Sequence, residues 1–249
     1  MNPPIVLITG GSRGIGAATA LLAARRGFAV AINYARQADT AQALVQQIEA
    51  EGGRAIAVQA DVGDEAQVLD MYAQVDAKLG RLTALVNNAG IVDVKARVDE
   101  MSVERLERMM RINVVGAFVC AREAVKRMST RHGGTGGVIV NLSSAAARIG
   151  SPDQYIDYAA SKGAIDTLTT GLAKEVAEEG IRVNGVRPGL IDTEIHASGG
   201  IPDRAFQLAH TVPMKRTGTA QEVANGIVWL LSPEASYVTG ATIDVTGGR

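Results

Sequence analysis

The chain has 249 residues, 47% of them apolar and 20% charged, with 25 Lys and Arg against 26 Asp and Glu. That is the make-up of a globular protein with an ample core rather than of a disordered one. The balanced charge, with no clustered basic stripe, argues against a nucleic-acid binder and favours a small-molecule role.

The opening "MNPPIVLITGG" lacks the basic region and the apolar length of a signal peptide. No stretch approaches the ~18 apolar residues of a membrane span. From there short apolar runs alternate with longer helical patterns. Strands are expected at 5–9, 28–33, 54–60, 84–89, 137–143, 181–186 and 241–245, separated by segments such as "ADTAQALVQQIEAEGG" whose apolar residues recur at helical spacing. The first strands are apolar on both faces, as strands covered by helices on two sides must be. The alternation predicts an α/β, doubly wound parallel sheet. No linker or composition shift divides the chain, so residues 1–249 read as a single domain. Cys120, in "VVGAFVCA", is the only cysteine and fits a small buried hydrophobe in a reducing, cytoplasmic setting. His132, His196 and His210 share no ligand spacing, so no metal is expected. One segment breaks the rhythm: residues 187–221 hold only a short helical pattern near 203–210. A connection that long points to a lid, at about 190–215, with Gly199 and Gly200 as hinge positions.

"ITGGSRGIGAATALLAARRG" sets a glycine cluster between the first strand and a helix, spaced Gly10-xxx-Gly14-x-Gly16. Glycines there let a pyrophosphate approach the helix N-terminus, whose unpaired N–H groups and dipole attract negative charge. The spacing departs from the G-x-G-x-x-G fingerprint. An acid about 20 residues on would bind the ribose 2′-hydroxyl of NAD. Instead Arg36 follows Gly16 by twenty positions, and Arg13 lies inside the loop. Both arginines suit a 2′-phosphate, which favours NADP over NAD. Asp39 would oppose this if the turn folded it inward.

In "YIDYAASK" (155–162) two tyrosines precede a lysine. With a helix from about Tyr158 to Glu179, Tyr158 and Lys162 are i and i+4, about 6 Å apart along the axis, whereas Tyr155 lies about 10 Å from the lysine. A nearby ammonium would draw a phenol's pKa down from its usual ~10 toward the working range of an acid–base group. "VNLSSAAA" ends a strand at Ser143 and Ser144, and "VNNAG" ends the strand before it, at the carboxyl edge where open α/β sheets bind ligands. Asn113 is a polar residue in the apolar run "MRINVVGAF".

These landmarks, in order, resemble the single-domain branch of the short-chain dehydrogenase/reductase family: Thr9-Gly10-xxx-Gly14-Ile15-Gly16, Asp61, Asn87-Asn88-Ala89-Gly90, Asn113, Ser144, Tyr158-xxx-Lys162 and Pro188-Gly189. The likeness spans nearly the whole chain and is nearest to bacterial sugar or 3-oxoacyl dehydrogenase-like oxidoreductases. It implies a Rossmann-type fold with a seven-stranded sheet in the order 3-2-1-4-5-6-7. It also implies hydride transfer between NADP, with NAD as the alternative, and a carbonyl or secondary alcohol. In that scheme Tyr158 is the acid/base and Lys162 favours its phenolate and bonds the nicotinamide ribose. Ser144 holds the substrate oxygen and Asn113 positions a water. Cofactor contacts are implied for Gly10, Ser12, Arg13, Gly14, Ile15 and Gly16; for Asn33, Tyr34 and Arg36; and for Asp61 and Val62 beside the adenine. They extend to Asn87, Ala89, Gly90, Asn113, Tyr158 and Lys162 on the ribose side, and to Pro188, Gly189, Ile191 and Thr193 beside the nicotinamide.

The resemblance further implies a homotetramer built on helices around 102–128 and 158–179 and on the C-terminal segment. The step from Ser144 to Tyr158 is fourteen positions, one more than the family norm, which keeps Ser143 as the alternative to Ser144. The extra residue, in "ARIGSPDQYID", brings Tyr155 or Arg148 toward the pocket rim. Val92, Val94, Ala146, Ile149, Leu190 and His196 are expected along the pocket. Arg148 and His196 are candidates to receive an acidic group, with solvated rim positions as the other reading. The competing function is a non-catalytic NAD(P) sensor that regulates a partner, which would have no need of Tyr158.

Overall fold

The computed structural model describes residues 3–195, 199–201 and 203–249. Its sheet holds seven parallel strands: β1 (Ile5–Ile8), β2 (Ala29–Tyr34), β3 (Arg54–Gln59), β4 (Ala84–Asn87), β5 (Gly137–Leu142), β6 (Ile181–Pro188) and β7 (Thr242–Val245), in the spatial order 3-2-1-4-5-6-7. Every strand expected from an apolar run is present, with ends shifted by at most two residues. The helices are α1 (Gly14–Arg25), α2 (Ala38–Ala50), α3 (Glu65–Lys78), α4 (Val103–Met110), α5 (Gly116–Met128), α6 (Ala146–Ile149), α7 (Ile156–Val176), α8 (Arg204–Leu208) and α9 (Ala220–Leu231).

The two-residue period of a strand explains the two layers of helices. Ile5 and Leu7 of β1 join the core beneath α3, α5 and α7, with Met71, Cys120, Met128 and Val176. Val6 and Ile8 face the other way, into a core with Ala20, Leu44, Ile48 and Ile227 of α1, α2 and α9. Cys120 is buried and burial pushes its thiol up to about 12, so it packs as a hydrophobe.

Three local features shape the site. The helices α4 and α5 run on through a π-turn, Arg111–Val115, that contains Asn113; such turns displace a side chain from regular helical register. Helix α7 begins at Ile156, two residues before the expected start, and Tyr155 stands outside it with extended-type φ of −143°. Just ahead, Gly150, Ser151 and Asp153 take positive φ (72°, 46° and 58°). This tight turn lies within the fourteen-residue step from Ser144 to Tyr158, at a strain that non-glycine residues ordinarily avoid.

The segment after β6 forms a small ribbon, Ile191–Asp192 pairing in parallel with Gly218–Thr219, and carries α8. Leu190, Ala205 and Val212 pack together there. Gly200 has a left-handed φ of +82°. His196 lies outside the described residues. Among the described residues, no helix is long and apolar enough to cross a membrane and no three His, Cys, Asp or Glu side chains are grouped to hold a metal ion.

Candidate active site

The carboxyl ends of β1, β4, β5 and β6 meet at one cleft of about 170 Å³, bordered by Ile15, Gly90, Ser144, Tyr158, Lys162, Pro188, Gly189, Ile191 and Thr193 among others. This is the crevice where strand order reverses between β1 and β4.

The glycine loop is built for close approach. Gly10 and Gly14 have φ of +59° and +52°. A Cβ on Gly16 would stand 2.5 Å from the Gly10 carbonyl oxygen and 2.7 Å from Asn88 Nδ2. The loop is tied down by side chains on neighbouring strands. Thr9 Oγ1 accepts the Asn88 and Ala89 N–H groups, both at 3.0 Å. Asn88 Nδ2 donates to the carbonyls of Thr9 and Gly10, both at 2.9 Å. Asn33 Oδ1 accepts from Gly10 N at 3.1 Å while its Nδ2 donates to Ala60 O at 3.0 Å. Helix α1 opens with Arg13 at its N-cap, with no side-chain cap and no acid in its first turn. Its leading N–H groups and positive dipole end are thus left for an anion. Ser12 is buried beside them, while Arg13 and Arg36 are exposed and, among the described residues, make no ion pair. Asp39 sits exposed in the first turn of α2. A glycine cradle, an open helix end and two unpaired arginines fit a dinucleotide bearing a 2′-phosphate.

Several polar side chains expected near the cofactor bond to protein groups. The buried amide of Asn33 is spent on the loop and on Ala60. Asn87 Nδ2 donates to Ala117 O and to Asn141 Oδ1, both at 3.1 Å, and Asn141 Nδ2 donates to Thr169 Oγ1 at 3.0 Å. These side chains brace strands against helices, because a buried amide must find protein partners. The same holds for the side chain of Asn113. It accepts from Ile91 N at 2.8 Å and donates to Ile91 O at 2.9 Å and to Ser161 Oγ at 3.1 Å. Ser161 Oγ in turn donates to Tyr158 O at 2.7 Å. Tyr34, at the end of β2, is half-buried, and Asp61 Oδ1 accepts from Gly63 N at 2.9 Å, turning the chain so that buried Val62 packs against Gly116.

Tyr158 and Lys162 share one face of α7, the ammonium 5.7 Å from the ring centroid. Lys162, buried to 5% exposure, donates to the Leu142 carbonyl at 2.7 Å, and a Cβ on Gly90 would lie 3.5 Å from its Nζ. Burial pushes its ammonium down from 10.5 to about 8, against the opposing pull of Asp166 one helical turn on. The phenol departs from the sequence expectation. Tyr158 is raised above its ordinary 10, because burial outweighs the favourable influence of the Ser144 hydroxyl and of the Arg204 charge. The ammonium is engaged by the end of β5 rather than by the phenol, and desolvation decides the direction.

The two serines part company. Ser143 is buried, its Oγ donating to Lys162 O at 3.1 Å. Ser144 accepts from Ala146 N at 3.1 Å and keeps its hydroxyl beside Tyr158. Val92, Ala146, Ile149 and Leu190 line the cleft. Val94 does not: it is 55% exposed, and a Cβ on Gly200 would come 3.5 Å from it. Arg148 is exposed and pairs with Asp244 at 2.5 Å, so the rim reading is the right one for it. Tyr155 lies in the cleft wall at 5% exposure. Sequence reasoning passed over Thr9 and Asn88 as loop fasteners, Ser161 as the link from Asn113 to Tyr158, and Arg204 in the cleft wall. The first three stand within quoted motifs; Arg204 carries no local signal.

The family profile described as enoyl-(acyl carrier protein) reductase matches residues 10–249. The uncharacterized oxidoreductase YgfF of Escherichia coli (strain K12) is 56% identical over 245 residues, 98% of this chain and 99% of that one. A 3-oxoacyl-[acyl-carrier-protein] reductase FabG of Staphylococcus epidermidis is 36% identical, spanning 97% of both chains. The crystal structure of a short chain dehydrogenase from Burkholderia cenocepacia J2315 in complex with NADP superposes with a TM-score of 0.90 at 35% identity, covering 99% of this chain and 98% of that one. The chain belongs to the short-chain dehydrogenase/reductase family and is an NAD(P)-dependent oxidoreductase.

Proposed function

We propose that the protein is an NADP-preferring reductase of carbonyl compounds, and dehydrogenase of the matching secondary alcohols, with Tyr158 as its acid–base group. The observation that carries this is the cleft phenol flanked by Ser144 and by the buried Lys162 at the carboxyl end of β5. Gly10, Gly14, Gly16 and the N-terminus of α1 would hold the pyrophosphate, with Ser12 and Ile15 beside it. Arg13 and Arg36, with Tyr34, would hold the adenosine 2′-phosphate. Asp61 and Val62 would border the adenine, and Ala89 and Gly90 the ribose. Pro188, Gly189, Ile191 and Thr193 would border the nicotinamide.

When bound, the reduced nicotinamide supplies a hydride to the carbonyl carbon. The chain handles the proton. Ser144 and Tyr158 hold the carbonyl oxygen by hydrogen bonds, and the phenol releases its proton to that oxygen as negative charge grows there. The resulting phenolate regains a proton from solvent, so each reduction consumes one proton overall; oxidation reverses the transfer. A phenol whose pKa is raised by burial holds its proton until the oxygen becomes basic, which suits an acid. The Lys162 ammonium nearby would stabilise the transient phenolate. Asn113 fixes the Ile91 backbone and, through Ser161, the first turn of α7.

The segment 190–215 is proposed as the lid and Gly200 as a hinge. The exposed Val103, Val115, Phe118 and Ile156 on α4, the π-turn, α5 and α7 support a homotetramer through those helices. The decisive experiment follows NADPH absorbance with a panel of carbonyl compounds for wild type and Tyr158→Phe. Loss of about 10²-fold or more is expected from removing general acid catalysis. Retained activity in the variant refutes the assignment.

A further inference from the structure

Two arginines line the cleft, the half-buried Arg204 and the exposed Arg249, while those just outside its lining have carboxylates. Arg148 pairs with Asp244, Arg187 with Asp166 and Asp244, and Arg216 with Glu222. Arg204 has none among the described residues, although it lines the same cleft as Tyr158 and is half-buried. Its direct partners are neutral. Nη2 donates to Gln154 Oε1 at 2.8 Å, and the guanidinium lies 5.2 Å from the centroid of the Tyr155 ring. Gln154 and Tyr155 follow directly on the left-handed turn at Gly150–Asp153, so this turn sets where both residues meet Arg204. No Asp or Glu borders the cleft among the described residues.

A guanidinium keeps its charge at any accessible pH, so it cannot escape burial by losing a proton. Burial disfavours that charge and the nearby Arg249 opposes it further. A half-buried cation held in place by a neutral amide and a ring face lacks one partner, an anion. Val92, Ala146, Ile149, Leu190 and Ile195 give the cleft an apolar stretch of wall that suits a short hydrocarbon chain.

We propose that the substrate is an oxo acid: a carbonyl compound whose carboxylate is received by Arg204 while its carbonyl oxygen meets Tyr158 and Ser144. This rests on the reading of Tyr158 as the acid–base group. The planar N–H fork left after Gln154 is satisfied matches a carboxylate, whereas a phosphate dianion would call for more donors than this seat offers. The product of reduction is the corresponding hydroxy acid.

The test compares 2-oxopentanoate and 3-oxopentanoate with their methyl esters, using NADPH. At least one acid should exceed its ester by about tenfold to a hundredfold in kcat/KM, mainly through KM, as expected for a charge-assisted contact. Arg204→Gln should bring that ratio close to one, and Arg204→Lys should restore part of it. Calorimetric titration of the NADP+-saturated protein with the same acids gives a readout without turnover, and Arg204→Gln should weaken that binding about tenfold or more. Esters reduced as well as acids, a ratio untouched by Arg204→Gln, or preference for a 2-oxoalkyl phosphonate overturns the carboxylate assignment. Absence of both turnover and binding of the acids overturns it too. Ester reduction that Tyr158→Phe abolishes, without any preference for acids, would defeat this inference alone; reduction that survives Tyr158→Phe would defeat the reading beneath it.

Discussion

Lys162 is held at a cost that can be measured. It is buried, donates to Leu142 O at 2.7 Å, and titrates at about 8 instead of 10.5. That fall corresponds to about 3 kcal/mol against the charged form. Below pH ~8 both folded and unfolded chains bind the proton and the penalty is present in full. Between ~8 and ~10.5 the unfolded chain binds more proton than the folded one, so stability rises with pH. Lys162→Met keeps the length of the side chain and removes the charge, while leaving Leu142 O without its donor, a loss of about 1–3 kcal/mol. At about pH 7 the variant should therefore unfold at a urea concentration equal to or above that of wild type, although its catalytic activity should be lost. The stability of wild type relative to the variant should increase by about 2 kcal/mol between about pH 7 and about pH 9.5. Urea unfolding of both proteins without cofactor at the two pH values measures this, since the other titrating groups cancel in the difference. A difference that does not change with pH would refute the reasoning and mean that Asp166 and solvent already offset the burial.

Two further outcomes follow from the cofactor cradle. Gly16→Ala places a methyl group 2.5 Å from Gly10 O and 2.7 Å from Asn88 Nδ2, so the loop must shift. A stability loss of about 1–3 kcal/mol is expected, with weaker NADPH binding by fluorescence titration; unchanged affinity would mean that the loop is not the pyrophosphate seat. Arg36→Ala removes one of the two unpaired arginines, and the ratio of NADPH to NADH affinity should fall about tenfold or more, while NADH binding changes little. Equal losses for both cofactors would count against a 2′-phosphate contact.

The layered fold was readable because its signals are local. Each strand is a short apolar run, and the alternation of Ile5 and Leu7 with Val6 and Ile8 divides the core between two sheets of helices. The pairing of Tyr158 with Lys162 was equally plain, since i and i+4 fall together on any helix. The side-chain bonds of Asn33 and Asn87 were hidden for a physical reason. A motif records that an amide stands at a strand end, but only the packed neighbours decide whether it turns to a ligand or to protein. Here Ala60, Ala117 and Asn141 claim both amides. The direction of the Tyr158 shift was hidden in the same way, because a charge four residues away is visible in a sequence and the desolvation of both partners is not.

Arg204 marks the limit of local reading, and the cause lies fifty residues upstream. In the sequence it is an arginine in a polar connecting segment, where a solvated charge is the ordinary expectation. What changes its meaning is the turn at Gly150–Asp153. Three left-handed residues there carry Gln154 and Tyr155 inward ahead of α7, and these two hold the guanidinium over the cleft. Gly199 completes the closure, since a Cβ there would come 3.4 Å from Tyr155 Oη. The turn beside α7 and a helix in the segment after β6 thus form one structure. If that structure receives the substrate, deleting one residue from 150–153 should impair the handling of carboxylates before it impairs cofactor binding, because the glycine loop draws none of its fastenings from this turn.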